Sequence, residues 1–84
     1  MTKDEVFAVV KKHILDIVDG ADADAITPEI SMKDAGASSL DMVEVVSCTM
    51  RELKVRVPRS ELSKLENIAG LVDLIHVAVL EKNA

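Results

Sequence analysis

Two adjacent serines, Ser38 and Ser39, follow Gly36-Ala37 and precede a long apolar-periodic segment, so a hydroxyl stands where a helix should begin. A serine there has two uses. Its oxygen can accept from a backbone N–H two or three residues on and close the helix end, or it can point outward at the positive end of the helix dipole and carry an anionic group. Other side chains capable of chemistry are scattered. Cys48, the single cysteine, falls within a helix-like stretch and reads as a small packing residue rather than a nucleophile. His13 and His76 sit on separate segments and read as surface or boundary residues, and no metal-ligand spacing is present. Asp19, Asp22, Asp24, Glu29 and Asp34 crowd one loop without the ordered spacing of a calcium loop, which reads as a solvated acidic loop. No residue set points to a catalytic centre.

The elements that must position the serines follow from periodicity. Thr2 and Glu5 have the capping-box spacing, and Phe7, Val10, Ile14, Ile17 and Val18 recur at helical intervals, which predicts a helix from Lys3 to Val18 that Gly20 ends. Asp19 to Ala37 is a long connection whose Ile26, Ile30 and Met32 should pin it to the core, with Ser31 and Asp34 bracketing one helical turn. A second helix from Ser39 to about Leu53 should bury Val43, Val46, Met50 and Leu53. Val55-Arg56-Val57 alternates like a strand but is short and ends at Pro58, so it reads as a connector. Arg59 to Lys64 can hold a short third helix, and Asn67 caps a fourth through about Glu81 with Ile68, Leu71, Val72, Ile75 and Val79 inward. The expected fold is all-α: a small antiparallel bundle of three long helices plus one short helix, with a long first loop.

Bulk properties narrow the function. The 84 residues form one expected domain, 1–84, and a chain this short buries only about 60 to 65% of its unfolded surface, too little for an elaborate enclosed active site. Phe7 is the only aromatic, so the core must be aliphatic. The net charge of −5 argues against a nucleic-acid partner, which needs clustered Lys and Arg. The start, Met1-Thr2-Lys3-Asp4-Glu5, lacks the pattern of a signal peptide, and Leu71 to Leu80 is too short and too interrupted to span a membrane. A monomer in a reducing cytoplasm is expected.

The stretch Gly36-Ala37-Ser38-Ser39-Leu40-Asp41 resembles the Gly-x-Asp-Ser-Leu-(Asp) motif of acyl carrier proteins, and the resemblance continues through Val43, Glu44, Leu53, Val57-Pro58 and Ile68 to Ile75. It implies that Ser39 is esterified with phosphopantetheine from coenzyme A by a phosphopantetheinyl transferase, and that the chain is a carrier rather than an enzyme. Ser38 replaces the usual Asp of the motif. Ser38 then caps the helix and leaves Ser39 free. No His or Lys lies within a few residues of Ser39 to act as its base, so activation must come from a partner. Leu40 and Met42 are expected to dock into partners, while Asp41 and Glu44 steer encounters with basic surfaces.

Charge changes sign along the chain. Residues 1–44 hold ten acids and four bases, and residues 45–84 hold five acids and six bases. Arg51 and Arg59, with Lys54 and Arg56, form either a partner-reading patch or a solvated face. The run Thr49-Met50-Arg51-Glu52-Leu53, Val57-Pro58-Arg59-Ser60-Glu61-Leu62, Asn67-Ile68 and Leu71-Val72-Asp73-Leu74 resembles the free-standing donor carriers of polyketide β-branching cassettes. Such carriers take a malonyl unit from an acyltransferase, have it decarboxylated by a ketosynthase, and deliver acetyl to a synthase resembling hydroxymethylglutaryl-CoA (HMG-CoA) synthase. Acceptor carriers in those systems usually show a Trp, and this chain has none. The alternatives are a discrete carrier of fatty-acid, other polyketide or peptide synthesis, and an unmodified carrier-like interaction protein.

Overall fold

The computed structural model describes residues 1–62 and 64–82, including the backbone but not the side chain of Arg59. Helix α1 (Lys3–Ile17) opens on the expected capping box: the Glu5 amide donates to Thr2 Oγ1 at 3.2 Å and the Thr2 amide donates to Glu5 Oε1 at 2.9 Å. The bond from the Thr2 backbone is the main reason the Glu5 carboxyl titrates below its ordinary value. The helix stops one residue short of the expected end, because Val18 is extended and Gly20 adopts a φ of +76°.

The long loop is pinned more firmly than its apolar residues alone require. Ile26 and Met32 are buried as expected, and a single 3₁₀ turn, Ala23–Ala25, is capped by Asp22. The loop also supplies backbone acceptors: the amides of Ile68 and Ala69 donate to Ile30 O at 2.9 Å and Pro28 O at 2.8 Å. These two residues open α4 (Ile68–Lys82), whose next amide, Gly70, bonds Asn67 Oδ1 at 2.8 Å. The orphan donors of the last helix are thus satisfied by Asn67 and by a loop some forty residues earlier.

Helix α2 (Ser39–Leu53) packs on α1, and α4 packs on α1 as well. The whole expected inward set of α4, Ile68, Leu71, Val72, Ile75 and Val79, is buried. On α2 the buried face is turned from the expected one: Val45, Val46 and Thr49 are buried, Met50 and Leu53 are half-buried, and Val43 faces outward. The cause is Thr49. Its hydroxyl donates to Val45 O at 2.8 Å, which removes the cost of burying it and lets a polar residue complete the apolar stripe. On α1, Val6, Val10 and Ile14 are buried, as is Val18 at its C-cap, while Phe7 and Ile17 pack at the margin.

Val55 to Val57 is a connector, as expected; both valines are buried and α3 (Arg59–Leu62) follows. The expected third helix reached Lys64, and Ser63 within it lies outside the described residues. No helix among the described residues is long and apolar enough to cross a membrane.

Lys12 Nζ and His13 Nε2 both meet Glu52 Oε1, at 2.6 and 3.0 Å, and tie α1 to the end of α2. The hydrogen bond from Lys12 is the main reason the Glu52 carboxyl titrates below its ordinary 4.5. A carboxyl depressed by folding stabilises the fold above its unfolded value, and that contribution is lost as pH falls through the folded value. Glu52→Gln should therefore lower the thermal midpoint at neutral pH and shrink the loss on acidification, measured between about pH 7 and about pH 3. In the core, Ile75→Ala should cost about 2–5 kcal/mol in urea unfolding. Val77→Ala, on the exposed side of α4, should stay within about 0.5 kcal/mol.

Candidate functional site

The turn that leads into α2 is built by Gly36. The Ala37 amide donates to Met32 O and the Gly36 amide to Lys33 O, both at 3.0 Å, a Schellman closure of the turn at 32–36 that requires the left-handed φ of +93° at Gly36. Buried Met32 and Ala37 anchor its two sides. Ser38 is then the N-cap: the Asp41 amide donates to Ser38 Oγ at 3.2 Å, and the Ser38 amide donates to Asp41 Oδ2 at 3.1 Å. Ser39 is the first helical residue, exposed, with its hydroxyl bonded to no other described residue. The amides of Ser39 and Leu40 likewise have no acceptor among the described residues.

This end of α2 therefore presents a free hydroxyl beside two free N–H groups at the positive end of the helix dipole, a setting that suits a phosphate ester on Ser39 Oγ. Beside it runs an open cleft of about 390 Å³ lined by Met32, Lys33, Ala37, Ser38, Ser39 and Met42. A second cleft of about 170 Å³ shares Met32, Lys33 and Met42 and continues to Leu65, Asn67 and Leu71. Met42 thus faces a groove as well as the core margin. Lys33 and Met32 carried no functional signal in the sequence.

The other expected site residues divide. Leu40 is 81% exposed, the most exposed large apolar side chain, and Glu44 and Arg51 are exposed farther along α2. Asp41 is half-buried with its carboxylate engaged in the cap, so Asp41→Lys would damage the helix start as well as any steering role. The side chain of Arg59 lies outside the described residues. His13 is held at Glu52 and His76 Nε2 lies 3.0 Å from Met1 O, so neither imidazole serves Ser39. No group of three or more His, Cys, Asp or Glu among the described residues is arranged to hold a metal ion.

Residues 10–75 match the protein family described as phosphopantetheine attachment site. The chain is similar to the polyketide biosynthesis acyl-carrier-protein AcpK of Bacillus subtilis (strain 168), 29% identical over 76 residues, covering 90% of this chain and 93% of that protein. It is also similar to the acyl carrier protein of Petrotoga mobilis (strain DSM 10674 / SJ95), 34% identical over 76 residues, covering 89% of this chain and 88% of that one.

The two serines separate in stability. Ser38→Ala should lose about 1 kcal/mol in urea unfolding, the worth of an N-cap, whereas Ser39→Ala should change it by less than about 0.5 kcal/mol. Equal losses would mean that the cap is shared.

Proposed function

The chain belongs to the acyl carrier protein family, and on that premise we propose that Ser39 accepts phosphopantetheine from coenzyme A as a phosphodiester on its Oγ. The observation that supports this reading is the division of work at the helix start. Ser38 and Asp41 close the helix, which leaves the Ser39 hydroxyl and two amides unengaged. The hydroxyl is a weak nucleophile with no imidazole at hand, so the transferase supplies the base that takes its proton. The new negative charge then rests against the Ser39 and Leu40 amides, where the dipole stabilises it. When attached, the group supplies a terminal thiol that carries acyl chains as thioesters. The protein's own part is to hold and present: exposed Leu40 docks into partners, Glu44 steers them, and the apolar cleft past Met42 lies within the domain that carries the arm.

The role we favour is donor carrier for polyketide β-branching, with acetyl or malonyl as cargo and residues 1–84 acting as one monomeric domain in the cytoplasm. Its partners are then the transferase, an acyltransferase, a decarboxylating ketosynthase and a synthase resembling HMG-CoA synthase, and the protein is their substrate rather than an enzyme. Likeness to a polyketide carrier over nine-tenths of the chain and the absence of Trp support this role. The 34% identity to a plain acyl carrier protein favours a second reading, a discrete carrier of fatty-acid synthesis.

Incubation with coenzyme A and a promiscuous transferase should add one phosphopantetheine by intact mass. The gain should vanish in Ser39→Ala and persist in Ser38→Ala; no gain in the wild type would leave an unmodified interaction protein. Acetyl-loaded protein offered to the HMG-CoA synthase-like enzyme should then transfer its acetyl group. Failure there, with turnover by fatty-acid enzymes, would overturn the donor role alone.

A further inference from the structure

A phosphodiester on Ser39 brings a second anion to a helix end that already holds one. The Asp41 carboxylate sits in the first turn of α2, fixed by its bond from the Ser38 amide. Two like charges within one turn repel, and the same helix end must serve both. A cation from outside the helix offsets that repulsion, and the loop wall of the outer cleft carries one. Among the residues that line this cleft with Ser39, Lys33 alone is charged. Its side chain is exposed and makes no hydrogen bond or ion pair with any described residue. Asp34 follows it in the loop and Glu66 lines the inner cleft, yet Lys33 pairs with neither. Its backbone is tightly held. The Ala35 amide donates to Met32 O at 3.1 Å, the Gly36 amide to Lys33 O at 3.0 Å and the Asp34 amide to Ser31 Oγ at 3.0 Å, with buried Met32 just before it.

We propose that Lys33 is a positioning residue for the arm: its ammonium pairs with the phosphodiester on Ser39 Oγ from the loop side of the cleft, while the Ser39 and Leu40 amides hold it from the helix side. The inference rests on the carrier reading, because without the arm there is no phosphate to pair. Lysine suits the task, since its flexible four-carbon stem ends in a compact charge with three donors. Pairing keeps the first atoms of the arm in the cleft beside Met42 instead of free in solvent. A purely structural role for the Lys33 stem would act equally with and without the arm. Phosphate pairing acts only once the arm is attached.

The test compares apo- and holo-protein by thermal unfolding for the wild type, Lys33→Gln, Lys33→Arg and Arg56→Gln, each loaded by transferase and coenzyme A and checked by intact mass. Lys33→Gln should leave the apo midpoint at its wild-type value. Its holo-minus-apo shift should fall below the wild-type shift by about 1 to 4 °C at low salt, the scale of one exposed ion pair in a domain of this size. Lys33→Arg should restore it. Exposed Arg56 lies beyond the far end of α2, about 21 Å along the axis from Ser39, so Arg56→Gln removes the same charge and should keep the wild-type shift. At about 1 M salt, where charges are screened within about 3 Å, Lys33→Gln and wild type should converge. The phosphorus NMR resonance of the arm reads the pairing without reference to stability. It should be displaced from its position in urea-unfolded protein in wild-type holo-protein, and less so in Lys33→Gln. No mass gain in the wild type would overturn the carrier reading and the pairing with it. Full gain, with either readout equal in wild type and Lys33→Gln, would overturn the pairing alone and leave the phosphate to the helix amides.

Discussion

The reciprocal bonds between Ser38 and Asp41 decide what the rest of the molecule can do. They satisfy the helix start with groups from outside and inside its first turn, and in doing so they place Ser39 one residue into the helix with nothing left to bond. A cap made by Ser39 itself would consume the hydroxyl. The same bonds turn Asp41 from a surface charge into a structural one, so the electrostatic face of α2 is set partly by how the helix is closed. Gly36 is the condition for this arrangement, because only its left-handed turn delivers Ala37 to the core and Ser38 to the cap position.

Much of this was legible in the chain. The three long helices follow from apolar intervals, and α4 in particular shows its inward residues without ambiguity because they recur on one narrow stripe. The split between the two serines is anticipated only through the family resemblance; the part of Asp41 in the cap is missed, because its carboxylate reads as an outward charge although it stands at capping-box spacing from Ser38. What was hidden depends on contacts distant in sequence or on a polar residue behaving as an apolar one. Thr49 reads as outward by type, yet its bond to Val45 O buries it and rotates Val43 to the surface. Engagement of Glu52 depends on Lys12 and His13, some forty residues away, so composition alone counts it as an exposed acid. Lys33 beside Ser39 carried no pattern at all, being placed there by the turn at 32–36.

The charge that α2 presents to its surroundings differs from its composition. Counted from the sequence it is an acidic helix with a basic end. Once the internally engaged groups are removed, Glu44 and Arg51 remain exposed on the helix, and Lys54 at its C-cap. Surface ion pairs such as Lys12–Glu52 contribute little to stability on their own. Their larger effect here is to withdraw a charge from the surface a partner meets.

The bonds from Ile30 and Pro28 to the first amides of α4 have a mechanical consequence. Two walls of the inner cleft, the loop that carries Met32 and the segment from Leu65 to Leu71, are joined to each other through the backbone by these two bonds. The third wall is α2, represented there by Met42, whose unbranched thioether side chain adapts readily in shape. Widening the cleft while keeping these bonds therefore falls first to the Met42 side chain, on the same helix that bears Ser39. Filling of the cleft and the setting of Ser39 would then be linked through α2.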